Sequence, residues 1–129
     1  MKSKNIASAC PCGRPLAYPD CCGRLHAGTP AADAESLMRS RYSAYVRGLD
    51  DYLLATWHAE TRPASLGRDA LPGPKWLGLD VIRHESSGDA ATVEFVARFK
   101  VGGRAQRMHE TSRFLRERGV WYYVDAVIA

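Results

Sequence analysis

The sequence lacks any long apolar run, and this absence excludes a helix that crosses a membrane. Such a helix needs roughly 20 consecutive apolar residues, and no segment approaches that length. The residues Met1–Ile6 are polar and include no apolar segment of the kind that directs export. Repeats, low-complexity segments and long blocks of like charge are also missing. We therefore expect a cytoplasmic protein with no membrane insertion.

Cysteine is missing after position 22, and all four cysteines stand close together as Cys-x-Cys, eight residues and Cys-Cys. Gly13, Pro15 and Pro19 favour tight turns between the two pairs. Four thiolates can enclose a zinc ion at Zn–S distances of about 2.3 Å, and such a closed site is structural because no position is left for a reacting water. A segment this short has no apolar core, so the metal would supply most of its folding energy. The predicted zinc ligands are Cys10, Cys12, Cys21 and Cys22.

Three alternatives to this zinc site stay open at the level of the sequence. A pair of disulfides is disfavoured because disulfides are rare in a reducing compartment. Free or redox-active thiols are the second alternative. In the third, His26 replaces Cys22 as the fourth ligand, since zinc accepts three thiolates and one imidazole as readily as four thiolates.

Composition is that of an ordinary globular chain. The 129 residues are 46% hydrophobic and 25% charged, which indicates one domain with at most a small appendage. The net charge of +4 permits weak attraction to nucleic acid or to an acidic protein surface but does not require it.

Helical periodicity dominates the first half of the chain. Apolar residues recur every three or four positions in a helix predicted to begin at Thr29-Pro30 and to end at Arg47-Gly48. A second helix is predicted from Asp50, which can cap it, to about Trp57. One or two short helical turns are expected over residues 64–71. Residues 1–9 are expected to form a loose tail.

The period changes to two after the connector Leu71–Pro74, and this change predicts strands. The clearest alternation places Ala91, Val93, Phe95, Ala97, Phe99 and Val101 on one face. We expect strands over 76–85, 91–101, 105–116 and 120–128. Consecutive strands with short turns form an antiparallel sheet. Helices followed by strands predict an α+β fold, with an α-helical layer packed on a four-stranded antiparallel sheet.

Longer stretches of the chain resemble known bacterial families. The cysteine spacing resembles the SEC-C motif, the zinc module at the carboxyl end of the SecA motor, although Arg14-Pro15 stands where such motifs usually carry Ser-Gly. The stretches that resemble the YchJ family are Leu37–Tyr45, Tyr52–His58, His109–Phe114 and Trp121–Asp125. The resemblance covers nearly the whole chain. It implies an N-terminal zinc knuckle within residues 1–28, joined to a nuclear-transport-factor-2-like (NTF2-like) cone with a curved sheet over residues 29–129.

Two charged residues are predicted to face the interior. Arg41 lies within the apolar stripe of the first long helix, and Glu110 shares strand parity with Met108. Opposite charges on facing apolar surfaces predict an ion pair that fixes the helix on the sheet, because either charge alone is costly to bury. The alternative is a pocket with a polar floor, in which Glu110 acts as an acid or base. The pocket candidates are Arg41, Tyr45, Trp57, His58, Glu110 and Ser112.

Three classes of function agree with these features. A structural zinc favours a protein-interaction module, in which the zinc module binds a protein partner. The second class is a small-ligand binder or an enzyme that uses the pocket of the cone, and its support is fold analogy; no catalytic residue is predicted. The third is a weak nucleic-acid binder, which is disfavoured because charged strand faces are usually solvated. The arginines near the third strand are Arg104, Arg107, Arg113, Arg116 and Arg118.

Overall fold

A computed structural model of the protein describes residues 9–66 and 74–128, without the side chain of residue 128. Within these ranges three α-helices precede four β-strands, and a short 3₁₀ turn spans Tyr18–Asp20. The helices are α1 (Cys22–His26), α2 (Ala34–Arg47) and α3 (Asp50–Ala55), and the strands are β1 (Lys75–Ser87), β2 (Ala90–Val101), β3 (Arg104–Glu117) and β4 (Val120–Ile128). None of the described helices is long and apolar enough to span a bilayer.

The long helix α2 begins later than the sequence predicts. Its first residue is Ala34, and Thr29 and Pro30 lie before it in an irregular segment. The Asp33 side chain accepts a hydrogen bond of 2.7 Å from the backbone N–H of Ser36. Such a cap satisfies an otherwise unpaired helix donor, whereas a proline in the first turn only removes one. The start of the helix is therefore set by the cap at Asp33 and not by Thr29-Pro30.

The ends of the two longer helices differ in how well local sequence predicts them. Helix α2 ends as expected at Arg47, with Gly48 in the left-handed conformation at φ 73°. Helix α3 ends at Ala55 and not near Trp57, and Asp50 lies inside it rather than capping it. The early end has a tertiary cause, because the backbone of residues 56–58 pairs with β4. Tyr123 N–H donates to the carbonyl of Thr56 at 2.8 Å, and the carbonyl of Tyr123 accepts from His58 N–H at 2.7 Å.

The four strands form one antiparallel sheet in the order β1-β2-β3-β4, which confirms the predicted architecture. Gly102 and Gly103, with φ values of 59° and 79°, form the tight turn between β2 and β3. Strand β1 extends two residues beyond its predicted end, to Ser87. Register shifts occur twice between β1 and β2 and once between β3 and β4, and irregularities of this kind bend strands.

The hydrophobic core lies between α2 and the face of the sheet that the helix covers. The alternating face predicted for β2 is buried at Ala91, Val93, Phe95 and Ala97, but Val101 at its far end is 48% exposed. From α2 and the other strands the core receives Ala34, Leu37, Met38, Tyr42, Leu79, Phe114 and Trp121. The sheet therefore buries one face beneath the helix, as an α+β layer requires.

Several predicted segments lie partly outside the described residues. Of the predicted tail, Ala9 is described, and it forms an isolated β-bridge with Ala17 instead of being loose. Of the predicted turns over 64–71, residues 64–66 are described and form no helix. Of the connector Leu71–Pro74, only Pro74 is described.

We expect Asp33→Ala to lower the free energy of unfolding by about 1 kcal/mol, the usual cost of removing a side-chain cap. Asp33→Ser should restore most of this loss because serine also caps. Asp51→Ala, which removes an exposed carboxylate from the first turn of α3, is the matched control and should have little effect. Urea unfolding measures all three variants, and an Asp33→Ala protein as stable as the parent would contradict the assigned cap.

Candidate functional site

The four cysteines form a compact buried cluster. Their Sγ atoms all lie within 4.8 Å of one another, and those of Cys12 and Cys21 are 3.7 Å apart. A tetrahedral zinc site with bonds of about 2.3 Å has S···S separations of about 3.8 Å, so the cluster has the size of a four-thiolate metal site. All four cysteines are free thiols. These residues can therefore hold a metal ion.

Local hydrogen bonds close the loop that carries the cysteines. Cys10 N–H donates to the carbonyl of Leu16 at 2.9 Å, and Cys21 N–H donates to the carbonyl of Tyr18 at 3.0 Å. Gly13 reverses the chain with φ 94°, a conformation that glycine adopts without strain. The knuckle, residues 9–28, thus places its cysteines through tight turns, as the glycine and prolines predict. Its last part is helix α1 and the turn after it.

The thiols of the cluster perturb one another. A hydrogen bond from Cys12 lowers the pKa of Cys10, and a hydrogen bond to Cys10 raises the pKa of Cys22. Burial raises the pKa of Cys21 to about 11. At neutral pH the metal-free cluster therefore retains protons, and a metal ion must displace them when it binds.

The knuckle is docked against α2 by polar contacts. Arg39 Nη1 donates to the carbonyl of Cys12 at 2.8 Å, while its Nε donates to Glu35 at 2.9 Å. Ser43 Oγ lies 3.6 Å from the sulfur of Cys10. The metal-binding segment and the long helix therefore pack as neighbours, and the helix supplies polar groups next to the sulfur cluster.

His26, the alternative fourth ligand, lies outside the sulfur cluster, and both of its ring nitrogens are engaged elsewhere. Its Nε2 donates to the carbonyl of Ser40 at 2.8 Å, so its Nδ1 accepts from the hydroxyl of Tyr18 at 2.6 Å. The ring also packs edge-on against Tyr52, with centroids 4.6 Å apart. Burial lowers the pKa of His26 and favours this neutral form. Cys22 is buried and supplies the fourth sulfur of the cluster.

The polar face of α2 that packs against the knuckle was not predicted from the sequence. Its polar residues Ser36, Arg39, Ser40, Ser43 and Arg47 recur at spacings of three and four, the same period as the apolar stripe. Residues at these spacings share a helix face. This polar stripe, with its three serines, indicates that polar groups of another segment pack against that face of the helix.

A cavity of about 350 Å³ lies between α2 and the sheet. Four of the six predicted pocket residues line it, namely Arg41, Tyr45, Glu110 and Ser112. Trp57 and His58 are not among its lining residues. The other residues that line the cavity are Met38, Tyr42, Trp76, Phe95, Ala97, Met108, Phe114 and Tyr123. The cavity is therefore mainly aromatic and apolar, with a small number of polar groups.

Arg41 is buried, with 6% of its surface exposed. Its Nη1 donates to the carbonyl of Leu53 and to the hydroxyl of Thr56, both at 2.7 Å. Its guanidinium lies 4.4 Å from the ring centroid of Tyr123 and 5.2 Å from that of Trp57. Burial lowers the pKa of Arg41 to about 10, and the contacts around it are neutral acceptors and aromatic rings.

Glu110 faces the cavity as its strand parity predicts, opposite Phe95 of β2. The predicted ion pair with Arg41 is nevertheless wrong, because no ion pair joins the two side chains. The end of α3 captures the guanidinium with a carbonyl and a hydroxyl, which the sequence pattern of the sheet cannot reveal. Glu110 has no side-chain hydrogen-bond partner in the described part of the chain, and burial raises its pKa.

His58 has a structural environment. It is 5% exposed, its Nε2 donates to Glu117 at 2.7 Å, and its Nδ1 accepts from the backbone N–H of Glu60 at 3.2 Å. Both nitrogens are therefore occupied within the protein. The side chain connects the segment after α3 to the end of β3.

Comparison with known proteins identifies consistent relatives. Residues 33–126 match the family model described as YchJ, middle NTF2-like domain. A UPF0225 protein of Chromobacterium violaceum is 58% identical over 137 residues and covers 100% of both chains. A UPF0225 protein of Bordetella parapertussis is 56% identical over 131 residues, 98% of each chain.

Two solved structures share the fold. The solution structure of a SEC-C motif containing protein from Rhodopseudomonas palustris has a TM-score of 0.81 and 37% identity, covering 93% of this chain and 98% of that one. The crystal structure of a SEC-C motif containing protein from Psychrobacter arcticus has a TM-score of 0.74 and 31% identity, covering 93% and 82%. Both the implied NTF2-like fold and the SEC-C resemblance are thereby confirmed.

We expect Glu110→Gln to melt at the same or a higher temperature than the parent at pH 7. The folded state raises the pKa of Glu110 above its ordinary value of 4.5, so folding favours its protonated form, and stability falls as pH rises from 4.5 through the raised pKa. Glutamine does not titrate and so removes this pH dependence of stability. The difference in melting temperature between the two proteins should therefore vanish below pH 4.5.

Thermal melts between pH 4 and 8 measure this difference. The matched control is Glu94→Gln, which removes a carboxylate that bonds to His109 at 2.7 Å and should not raise the melting temperature. A clear loss of stability in Glu110→Gln at pH 7 would contradict the absence of a stabilising partner for the Glu110 carboxylate.

Proposed function

Because the chain belongs to the YchJ family and carries a buried four-cysteine cluster, we propose that it is a zinc protein whose metal is structural and holds the knuckle as a protein-interaction surface on an NTF2-like scaffold. The observation that carries the proposal is the convergence of four buried sulfurs in a cluster of tetrahedral size. Four thiolates suit zinc and leave no position for a substrate or a water.

The outward side of the knuckle is where a partner would bind. Leu16 is 47% exposed, and Pro15, Pro19 and Asp20 are exposed near it. A small groove of about 130 Å³ lies between the knuckle and the segment before α2, and its lining includes Leu16 and Leu25. An apolar side chain on a rigid, polar-rimmed surface is a common feature of interaction sites.

Arg14 lines the same groove, but its side chain also contacts helix α2. Its Nη1 donates to Ser36 Oγ at 3.3 Å, and its Nη2 lies 3.6 Å from a carboxylate oxygen of Glu35. A change at Arg14 would therefore disturb the docking on α2 as well as the surface. Leu16 and Asp20 are the cleaner positions for testing a partner.

A second candidate function is the binding of a small molecule inside the cone. One specific observation favours it, the cavity of about 350 Å³, which falls at the lower end of the range for ligand sites. Tyr45, Trp76, Met108 and Glu110 on its wall are partly exposed, so solvent reaches the cavity.

Nucleic-acid binding receives little support from the arginines of the sheet. Arg113 makes two hydrogen bonds to Asp125, at 2.6 and 2.5 Å. Arg116 donates to Asp89 at 2.8 Å. Arginines already paired with carboxylates are poorer phosphate contacts than free ones, because the pair must be broken first.

We expect protein purified under reducing conditions to contain one zinc ion per chain, measured by elemental analysis and native mass spectrometry. Cys22→Ser should reduce this content, and His26→Gln should retain it, because the imidazole is not a ligand. Chelation should release the cysteine segment and leave the sheet folded, since the body has its own core. A zinc content near zero together with paired disulfides would contradict the proposal.

We expect Leu16→Ser and Asp20→Ala to abolish the capture of a protein partner from cell extract without loss of zinc or of fold. The matched control is Ile82→Ser, which removes an exposed apolar residue, 53% accessible, from the sheet. Crosslinking followed by mass spectrometry identifies the partner and the contact site. Unchanged capture by both knuckle variants would remove the interaction surface from the proposal.

A further inference from the structure

The cavity between α2 and the sheet contains a buried cation, the guanidinium of Arg41, which forms no ion pair within the described residues. The guanidinium of Arg41 is surrounded by the carbonyl of Leu53, the hydroxyl of Thr56 and two aromatic rings. No carboxylate of the described ranges lies within ion-pair distance of it. Buried arginines are otherwise nearly always paired with an acid. The guanidinium therefore has no ion-pair partner among the described residues.

The same guanidinium retains hydrogen-bonding capacity. Arginine has five N–H donors, and the two bonds to Leu53 and Thr56 both start from Nη1. The Nε and Nη2 groups have no acceptor among the residues described, and Arg41 is part of the cavity wall. A planar fork of free donors is the arrangement that binds a carboxylate through two parallel bonds.

The remainder of the wall suits an aromatic or apolar body. Tyr42 and Trp76 meet edge-to-face with centroids 5.6 Å apart, and Trp76 also contacts Phe99 at 5.5 Å. On the strand side, Ser112 is 4% exposed, and its hydroxyl has no side-chain partner among the described residues. Its neighbour on the same face, Glu110, is more easily protonated than a free carboxyl because of burial. When it is protonated beside a bound anion, it can donate a hydrogen bond instead of repelling that anion.

We propose that the cavity binds a small aromatic or apolar carboxylate, with the carboxylate on the free N–H groups of Arg41 and the apolar body against the aromatic wall. This inference rests on the second candidate function, small-molecule binding within the cone. It adds the class of ligand and the residue that selects it. The volume of about 350 Å³ limits the ligand to a single ring system with a short side chain.

Cinnamate and its neutral isostere cinnamamide are matched probes for this site, because they differ only in the charged group. The zinc-loaded, full-length protein is titrated with each by calorimetry. We expect cinnamate to bind at least about tenfold more tightly than cinnamamide, since one charge-assisted pair of hydrogen bonds distinguishes them. Arg41→Met, which keeps the length of the side chain between the two rings, should abolish this preference.

Arg47→Met is the matched control. It removes the same charge from the same helix, but Arg47 is exposed and lies over the ring of Tyr18 in the knuckle, with 4.0 Å between the guanidinium and the ring centroid. The preference for cinnamate should persist in this variant. A preference that disappears in both variants would indicate a general effect of net charge and would overturn the role of Arg41.

The remaining outcomes distinguish selective binding of a carboxylate from small-molecule binding in general. If both probes bind equally and Arg41→Met changes neither, the carboxylate inference is wrong while small-molecule binding stands. If neither probe binds at millimolar concentration, both fail. Should Arg41→Met not fold, the guanidinium NMR signal of Arg41 in the parent protein decides. It must shift on addition of cinnamate and stay unchanged with cinnamamide, and the absence of such a shift overturns the inference.

Discussion

Helix α2 is packed on two sides, and this double contact determines how the knuckle and the sheet are arranged around it. Toward the sheet it buries Leu37 and Tyr42, and toward the knuckle it buries Ser40 and Ser43. A helix turns once in 3.6 residues, so neighbours in sequence necessarily serve different faces. Because one rigid element carries both sets of contacts, the cysteine cluster and the cavity are held in a fixed relation. The knuckle is therefore packed directly against the long helix of the body.

The interior polar groups are kept at an electrostatic cost. Arg41 loses water and gains neutral acceptors and ring faces, and burial lowers its pKa to about 10. Glu110 also loses water, and its pKa rises. Arg41 and Glu110 line one cavity without forming an ion pair. Buried polar groups that do not pair with each other contribute little to stability. Their presence therefore indicates a role in binding.

Features that depend on local spacing were predictable from the sequence. Alternation in β2 indicates its buried face, because successive side chains of a strand point to opposite sides. The same rule places Glu110 toward the cavity. Gly48 marks the end of α2, since glycine adopts a left-handed conformation without strain. The spacing of the cysteines predicts that they converge, and in the structure their sulfurs lie within 4.8 Å.

Features that depend on competition between distant partners were decided by the tertiary structure. Arg41 had a carboxylate available on the facing sheet, but the end of α3 offers nearer acceptors at 2.7 Å. His26 stands close enough in sequence to act as a zinc ligand, yet Tyr18 and the carbonyl of Ser40 take both of its nitrogens. Periodicity specifies which way a side chain points, whereas its hydrogen-bond partner depends on which groups the packed elements bring within about 3 Å. Only the folded chain determines that proximity.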